Sequence, residues 1–195
     1  MISFVVILPL IGFIYCAFLG KFFGDRNSQL VTNILLFISA ILSWIIFFRY
    51  LGPTNTSTLE VYNWITSGTF SVDWSFRVDA LTATLLIVVT TVSSCVHFYS
   101  IGYMNEDKSI SRFMGYLSLF TFFMLVLVTS DNLLQMFFGW EGVGLTSYLL
   151  IGFWHHKESA NRAAIKAFIV NRVGDFGFAL GIAGIFIIFG SVQFD

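Results

Sequence analysis

The sequence predicts an all-α integral membrane protein of six transmembrane helices, with an outer-side β-hairpin in the connection between residues 49 and 79. The 195 residues are 57% hydrophobic and 11% charged, whereas soluble domains carry about 25% charged residues. Four runs of 18 to 23 residues contain no Asp, Glu, Lys or Arg, and about 20 residues of helix cross the hydrocarbon core of a bilayer. Composition and run length therefore both indicate membrane-spanning helices.

Six spans follow in chain order. The first four are the charge-free runs, at residues 2–20, 30–48, 80–102 and 113–130. The fifth span, residues 132–154, contains a single charged residue, Glu141. The sixth span, residues 163–189, is also apolar but contains three charged residues: Lys166, Arg172 and Asp175.

The long connection between spans two and three predicts a β-hairpin. Residues 69–77 alternate strictly between apolar and polar side chains, and residues 61–66 are rich in β-forming types. Ser67 and Gly68 stand between them as a turn signal. We expect this hairpin to lie on the outer side and to pack against the bundle.

The positively charged residues predict the orientation, because short cytoplasmic loops are enriched in Lys and Arg. With the N-terminus outside, only Arg49 and Arg77 fall on the outer side, and seven fall inside: Lys21, Arg26, Lys108, Arg112, Lys157, Arg162 and Lys166. Both chain ends are therefore predicted on the outer side. Only residues 130–132 separate spans four and five, so these helices must be antiparallel neighbours. Ser130 or Asp131 is expected to cap the fifth helix.

Other classes of protein fit the sequence poorly. It contains no basic run of the kind that binds nucleic acid, and Cys16 and Cys95 both lie in apolar runs, as small buried residues do. The N-terminus has neither the basic region of a signal peptide nor an Arg-rich leader. These observations favour a bacterial or organelle-encoded membrane protein.

Glu141 is the main candidate for chemistry. It lies about 15 Å from one end of its span and about 20 Å from the other, where a carboxylate is costly unless it is paired or hydrated. Because hydrocarbon withholds the hydration that stabilises the ionised form, we expect a group that accepts and releases a proton. Flanking glycines permit close helix approach, and Thr146 and Ser147 offer hydroxyls nearby. The alternative is a permanently protonated acid that joins two helices by a hydrogen bond.

The charges of the sixth span have two interpretations each. Arg172 and Asp175 are three residues apart, so they share a helix face and are expected to pair. That pair either belongs to a proton pathway or is purely structural. Lys166 either belongs to the pathway or extends to the headgroups.

The histidines are weaker candidates. His155 and His156 are adjacent, so on a helix they point in different directions, and no second ligand pair follows at metal spacing. A loop at the inner surface is the default, with proton uptake as a further role because histidine titrates near neutrality. His97 is expected to be a hydrogen-bonded interior residue. The glycines of residues 139–144 lie within a span and so do not form a nucleotide loop.

Two stretches carry a resemblance to a known family: 131-DNLLQMFFGWEGVGLTSYLLIGFW-154 and 164-AIKAFIVNRVGDFGFALG-181. They resemble chain 5 of NADH:ubiquinone oxidoreductase (respiratory complex I), an antiporter-like membrane subunit. Residues 74–86, 96–107 and 112–132 match as well, so the resemblance spans nearly the whole chain.

The resemblance implies proton translocation. Glu141 corresponds to the family's protonatable glutamate on the fifth helix, and Lys166, Arg172 and Asp175 correspond to charged positions on the sixth. In that family, quinone reduction elsewhere in the complex drives proton movement through the antiporter-like subunits. The chain would then be a subunit of an enzyme while carrying out no redox chemistry itself.

The resemblance also implies partners and location. NADH, FMN, iron–sulfur clusters and ubiquinone would be bound by other subunits, with no cofactor and no metal in this chain. The partners would be other membrane-arm subunits of complex I and the lipid bilayer, without nucleic acid. The location would be the mitochondrial inner membrane for an organelle-encoded chain, or the bacterial plasma membrane.

The chain departs from the family in its extent. The family's bundle has two inverted repeats and uses a lysine on the helix after this chain's last one. The sequence ends at Asp195, which predicts a fragment that is inactive alone. Residues 1–112 are expected to form helices 1–3 with the hairpin at 52–78, and residues 113–195 the start of the antiporter-like repeat.

Two other functions stay open. A subunit of a multisubunit cation/proton antiporter shares the fold and the membrane glutamate, although NRVGDFGFALG and LIGFW favour complex I. A non-transporting scaffold would use Glu141 only as a link between helices. The sequence also leaves open whether H⁺ or Na⁺ is moved.

Overall fold

The computed structural model describes residues 1–50, 56–68 and 70–194. The helices are α1 (Ile2–Ile14), α2 (Gly20–Phe23), α3 (Asp25–Arg49), α4 (Ala80–Tyr103), α5 (Ile110–Val128), α6 (Leu133–Ile151) and α7 (Glu158–Phe189). A π-helical turn, Tyr15–Leu19, joins α1 to α2, and two antiparallel strands, β1 (Ser57–Ser67) and β2 (Phe70–Val78), form the hairpin. Residues 52–55 and Thr69, which belong to the predicted hairpin loop, and Asp195 lie outside the described residues.

The predicted helices are all present. Five segments in the described part of the chain are long and apolar enough to cross a membrane: Ile2–Phe23, Asp25–Arg49, Ala80–Tyr103, Ile110–Val128 and Glu158–Phe189. Helix α6 has 19 residues but is less apolar, because Gln135, Glu141 and several glycines interrupt its hydrophobic residues. An all-α, multi-pass membrane architecture is therefore confirmed, and a sixth span at α6 stays a prediction.

Two helices begin earlier than the sequence predicts. Helix α3 begins at Asp25, five residues before the predicted start at residue 30, and α7 begins at Glu158, before residue 163. The charge-free runs indicate only the residues that lie in hydrocarbon. Both helices also contain about one turn of polar residues before those runs. Gly24, with φ of 84°, separates α2 from α3, a backbone conformation that favours glycine.

Helix α5 lies at the centre of the bundle, in contact with α1, α3, α4 and α6. Helix α3 packs between α1 and α4, and α7 packs on the outer side of α6. Because α1 contacts α5, the two predicted parts of the chain pack against each other. The division at residues 112 and 113 stays a prediction.

The helix connections define two ends of the bundle. At the end that we call the basic end, residues 21–28, 103–112 and 152–162 meet, as shown by bonds from Ser111 to Asp25 and from Trp154 to Asp107. At the opposite end, the hairpin end, residue 50, the hairpin and residues 129–132 meet. Six of the seven cations predicted to lie inside come from the connections at the basic end.

The predicted hairpin is confirmed, with its turn at Gly68 and its strands paired from Ser57↔Val78 to Ser67↔Phe70. Strand β2 docks on the bundle, because the Arg77 N–H donates to Thr129 O at 2.9 Å and Phe76 pairs with Ser130. Arg77 Nη1 also lies 3.8 Å from Asp131 Oδ1. The expected packing role of the hairpin therefore rests on backbone pairing as well as on side chains.

The predicted cap of the α6 helix was wrong. Asn132, and neither Ser130 nor Asp131, caps α6, since its Oδ1 accepts from the Gln135 N–H at 2.8 Å. Asp131 instead accepts from Ser75 Oγ at 3.2 Å. The Asn132 Nδ2 donates to Asp73 O at 2.9 Å, so this buried residue joins the hairpin to the helix.

Replacing Asn132 with Ala is expected to lower the free energy of unfolding by about 1–2 kcal/mol, because the cap of α6 is lost together with the bond to Asp73. Asn132→Ser is the matched control, since serine also caps helices but cannot reach the strand with an amide. We expect the serine variant to lose less. Detergent unfolding followed by circular dichroism measures both variants, and equal stability of the alanine variant and the wild type would contradict the assignment.

Candidate functional site

The candidate site lies where α7 packs against α6. The buried face of α6 consists of Gln135, Gly139, Gly142 and Thr146, which are spaced for one side of a helix. That face meets α5: a Cβ at Gly139 would lie 2.7 Å from the backbone of Leu127, and one at Gly142 would meet the ring of Phe123. The Gly139 side of α6 is thus in close contact with α5. Glu141 is turned away from that side and faces α7.

Three charged side chains meet between the two helices. Arg172 Nη1 lies 2.5 Å from Glu141 Oε2 and 3.5 Å from Asp175 Oδ2. Asp175 is buried, with 7% of its side chain exposed, whereas Glu141 is 24% and Arg172 47% exposed. One guanidinium therefore serves two carboxylates from two helices.

The predicted pair of Arg172 and Asp175 is confirmed, but the stronger partner of Arg172 was missed. Its contact with Glu141 joins residues 31 positions apart, which no helical spacing reveals. Guanidinium is ionised at all accessible pH values, so this contact is a charge-assisted hydrogen bond.

Two aromatic residues complete the site, and the sequence did not identify either. The Trp140 indole donates from Nε1 to Asp175 Oδ1 at 2.8 Å, and the guanidinium of Arg172 lies 4.7 Å from the centre of the Phe168 ring. Trp140 could have been found from the sequence, because an indole N–H in an apolar setting needs a hydrogen-bond acceptor. Trp140 and Arg172 therefore hold Asp175 from two helices.

The two hydroxyls expected near Glu141 bond to the backbone of their own helix. Thr146 Oγ1 donates to Gly142 O at 2.8 Å, and Ser147 Oγ donates to Val143 O at 2.7 Å. Hydroxyls in a helix commonly bond to the carbonyl four residues earlier. Both hydroxyls are therefore bound to the backbone of α6, and Arg172 is the partner that Glu141 has instead.

The other predicted site residues lie toward the basic end. Lys166 is exposed on α7, and His155 and His156 are exposed in the connection before it. No hydrogen bond or ion pair joins any of them to Glu141 within the residues that the structure describes. Their pathway roles stay predictions, and Lys166 keeps both interpretations.

A cavity of about 330 Å³ lies beside His155 at the basic end. Its lining includes Arg112, Tyr148 and Asn161. Tyr148 is seven residues after Glu141, on the same face of α6, and its ring lies 5.4 Å from that of Phe168. The cavity is thus lined by Tyr148, whose ring contacts Phe168, the residue that underlies Arg172.

His97 has the interior role expected of it. It is fully buried in α4, with Nδ1 2.9 Å from Ser93 O and Nε2 3.2 Å from Ser118 Oγ. The contact with Ser118 joins α4 to α5, whereas Ser93 lies on α4 itself. Among residues 1–50, 56–68 and 70–194, no group of three or more His, Cys, Asp and Glu side chains is arranged to hold a metal ion.

A carboxylate fixes the connection at the basic end. Asp107 Oδ2 accepts from Trp154 Nε1 at 2.9 Å, and its Oδ1 accepts from the Ser109 N–H at 2.8 Å. The hydrogen bond from Trp154, and to a smaller extent that from the Ser109 N–H, holds the pKa of Asp107 below its usual range. Because the ionised form is the better acceptor, this contact stabilises the folded chain only while Asp107 is ionised.

The contribution of Asp107 to stability is expected to depend on pH. Since the folded pKa is depressed, the contribution is complete above the unfolded value of about 3.9 and is lost as the pH falls through the folded value. Thermal unfolding of the wild type and of Asp107→Asn at a series of acidic pH values measures it. Their difference in Tm should shrink toward acid pH, and a difference that stays constant would contradict the prediction.

Two family models match the chain. Residues 64–114 match the family described as NADH-Ubiquinone oxidoreductase (complex I), chain 5 N-terminus. Residues 130–195 match the family described as NADH:quinone oxidoreductase/Mrp antiporter, TM. The second match includes every residue of the Glu141, Arg172 and Asp175 cluster.

Curated relatives cover the chain almost completely. NADH-quinone oxidoreductase subunit L of Rhodobacter capsulatus is 52% identical over all of the chain and 28% of its own length. NADH-ubiquinone oxidoreductase chain 5 is 52% identical in Chondrus crispus and 53% in Marchantia polymorpha, each over 98% of the chain and 29% of the relative. The chain thus spans less than a third of the length of these relatives.

A solved structure shares the fold. The membrane-bound sulfane sulfur reductase, an archaeal respiratory membrane complex, contains a chain that aligns with a TM-score of 0.84 at 14% identity. The alignment covers 98% of this chain and 38% of the other. At this identity the likeness concerns the fold alone.

Proposed function

Because the chain belongs to the family of chain 5, or subunit L, of NADH:quinone oxidoreductase, we propose that it acts in proton translocation within the membrane arm of such an enzyme. It corresponds to the N-terminal part of that subunit. The proposed activity belongs to the whole assembly, in which quinone reduction elsewhere drives proton movement through the antiporter-like subunits.

The cluster of Glu141, Arg172 and Asp175 is the observation that carries this proposal. With both acids ionised, the three formal charges sum to −1, so one carboxylate lacks a cation of its own. In a medium of low dielectric constant, a net charge is costly. Uptake of one proton brings the cluster to neutrality. A positive charge introduced nearby would favour release of that proton.

Geometry favours Glu141 as the proton carrier. Asp175 is buried, and its two carboxylate oxygens are already engaged by Arg172 and by the Trp140 indole. Glu141 is more exposed, and among the described residues its hydrogen-bond partner is Arg172. Protonation of Glu141 would weaken its bond to Arg172 and leave the guanidinium to Asp175, which gives the site two arrangements.

The remaining parts of the proposal concern partners and location. Other membrane-arm subunits are the proposed partners. The inner mitochondrial or bacterial plasma membrane is the proposed location. In this proposal both described ends of the chain lie at the hairpin end, on the outer side of the membrane. We propose that other subunits bind NADH, FMN, iron–sulfur clusters and ubiquinone. In support, an iron–sulfur cluster takes about four thiolates, and the chain has two cysteines, of which Cys16 is buried and Cys95 exposed.

A cation/proton antiporter subunit is the second candidate, because the family model that matches residues 130–195 includes Mrp antiporters. One experiment separates the two functions. The assembly is purified by a tag on this chain and reconstituted in vesicles with a pH-sensitive dye. NADH plus quinone should acidify the vesicles, whereas an antiporter would acidify or alkalinise them only in response to a cation gradient.

A further inference from the structure

A second cavity, of about 560 Å³, lies at the basic end, away from the Glu141 cluster. It is bounded by the π-helical turn and by the beginnings of α3 and α5. Its lining contains three cations and one acid: Lys21, Lys108, Arg112 and Asp25. The lining therefore carries a net formal charge of +2.

Two of the cations have no partner among residues 1–50, 56–68 and 70–194. Lys21 and Lys108 make no ion pair and no hydrogen bond within the described part of the chain, although both line the same cavity. Arg112 is partly engaged, since it lies 3.4 Å from Phe153 O and stacks at 4.7 Å on the Phe153 ring. A built cavity with two unpaired ammonium groups calls for an anion.

The acid in the cavity is already occupied. Asp25 Oδ1 accepts from Ser111 Oγ at 2.8 Å and from the Ser111 N–H at 3.3 Å. Ser111 also joins Ser28 at 2.9 Å. Asp25 thus links α3 to α5 through Ser111. Lys21 and Lys108 are therefore available to bind a ligand.

The walls of the cavity indicate what kind of anion fits. Phe13, Cys16 and Ala17 give it an apolar side, which a free inorganic anion would not use. The adjacent helix surface is strongly apolar, with Phe18 70% and Phe22 83% exposed. A ligand with a charged head and an apolar body matches both parts.

We propose that this cavity binds an anionic phospholipid, with its phosphate between Lys21 and Lys108 and the upper part of its acyl chains against Phe13 and Ala17. Basic pockets between transmembrane helices at the membrane surface bind such headgroups. The lipid would fill the groove between α1 and α5 at the basic end. The site is independent of the Glu141 cluster and of the proposed function.

The test uses the intact assembly that contains this chain, in nanodiscs of phosphatidylcholine with a minority of phosphatidylglycerol. Lipid retained after extraction into mild detergent is counted by mass spectrometry. We expect the wild type to retain phosphatidylglycerol selectively. The double variant Lys21→Gln/Lys108→Gln should bind it more weakly by roughly 5-fold for each charge, or roughly 25-fold in all.

Two further variants make the test specific. Arg26→Gln removes a cation from the same end but outside the cavity, and should retain the lipid. Ala17→Phe leaves every charge in place but fills the cavity, and should lose it. An unchanged thermal transition checks that each variant is folded.

Several results would overturn the proposal. These are equal retention by the wild type and the double variant, equal loss in Arg26→Gln, or no preference of the wild type for phosphatidylglycerol over phosphatidylcholine. Complete displacement by inorganic phosphate would identify a simple anion site instead. Occupation of the cavity by another subunit, detected by a photocrosslinker placed at residue 17, would also exclude the lipid.

Discussion

Replacing Glu141 with Gln is expected to abolish proton translocation by the assembly while the chain still folds. Glutamine has the shape of glutamic acid, and its amide oxygen can still accept from Arg172, which lies 2.5 Å from the carboxylate in the wild type. It cannot bind or release a proton. The variant therefore keeps the link between α6 and α7 and removes only the titrating group.

Proton uptake into vesicles, divided by the rate of NADH oxidation, measures this effect. We expect the ratio to fall to the level of uncoupler-treated vesicles. Glu158→Gln is the matched control, because Glu158 is an exposed acid at the start of α7 that pairs with Arg162 at 2.6 Å. Exposed pairs of this kind contribute about 0–1 kcal/mol, so this control should keep the wild-type ratio.

A scaffold role for Glu141 predicts the opposite result. If the acid only joined two helices, the glutamine variant would translocate protons normally. A variant that also removes the hydrogen bond, Glu141→Leu, would then lose both stability and translocation. Normal coupling in Glu141→Gln would thus refute the proposed proton-transfer role and leave the family membership untouched.

Replacing Gly139 with Ala is expected to force α5 and α6 apart. The added Cβ would lie 2.7 Å from both Cα and N of Leu127, and a backbone cannot move aside as a flexible side chain does. Overpacking of this kind costs about 1–3 kcal/mol, which exceeds the gain of about 1 kcal/mol in helix propensity. We expect a net loss of stability and a displaced Glu141.

Gly144→Ala is the matched control on the same helix. Its added Cβ would meet Asn171 Nδ2 at 3.3 Å, the end of a side chain that can shift. Detergent unfolding compares the two variants, and we expect the Gly144 variant to lie within about 0.5 kcal/mol of the wild type. Equal effects at the two positions would show that contact with Leu127 does not decide the spacing of the helices.

The sequence predicted the helices well because hydrocarbon imposes length and polarity at once. Runs without charge located four of the six spans directly. The errors concern the ends, since Asp25 and Glu158 extend helices into the polar surface, where composition no longer distinguishes helix from loop. Helix α6 was located as a run with a single charged residue, Glu141.

The hairpin was predictable and its attachment was not. Strict alternation over residues 69–77 revealed the strands. The choice of Asn132 over Asp131 as the cap of α6 depends on the hairpin, because Asp131 is oriented toward Ser75 and Asn132 toward Asp73. Two equally good capping residues in sequence were distinguished by a tertiary contact.

The candidate site shows the same limit. Arg172 and Asp175 pair within one helix, so their spacing alone predicted the contact. The bond from Arg172 to Glu141 depends on how α7 is rotated against α6, and the bond from Trp140 to Asp175 depends on the same rotation. The sequence identified the charged residues of the site, and only the packed bundle gives the contacts that join the two helices.

The attachment of the hairpin has a consequence for biosynthesis. Phe70 of β2 contacts Phe186 near the end of α7, at 4.9 Å between ring centres, and Asp73 and Ser75 contact residues 131–135. A ribosome adds roughly 5–20 residues per second. Several seconds or more therefore pass between synthesis of the hairpin and synthesis of the surface on which it docks. During that interval the edges of β1 and β2 are open to pairing with other nascent chains.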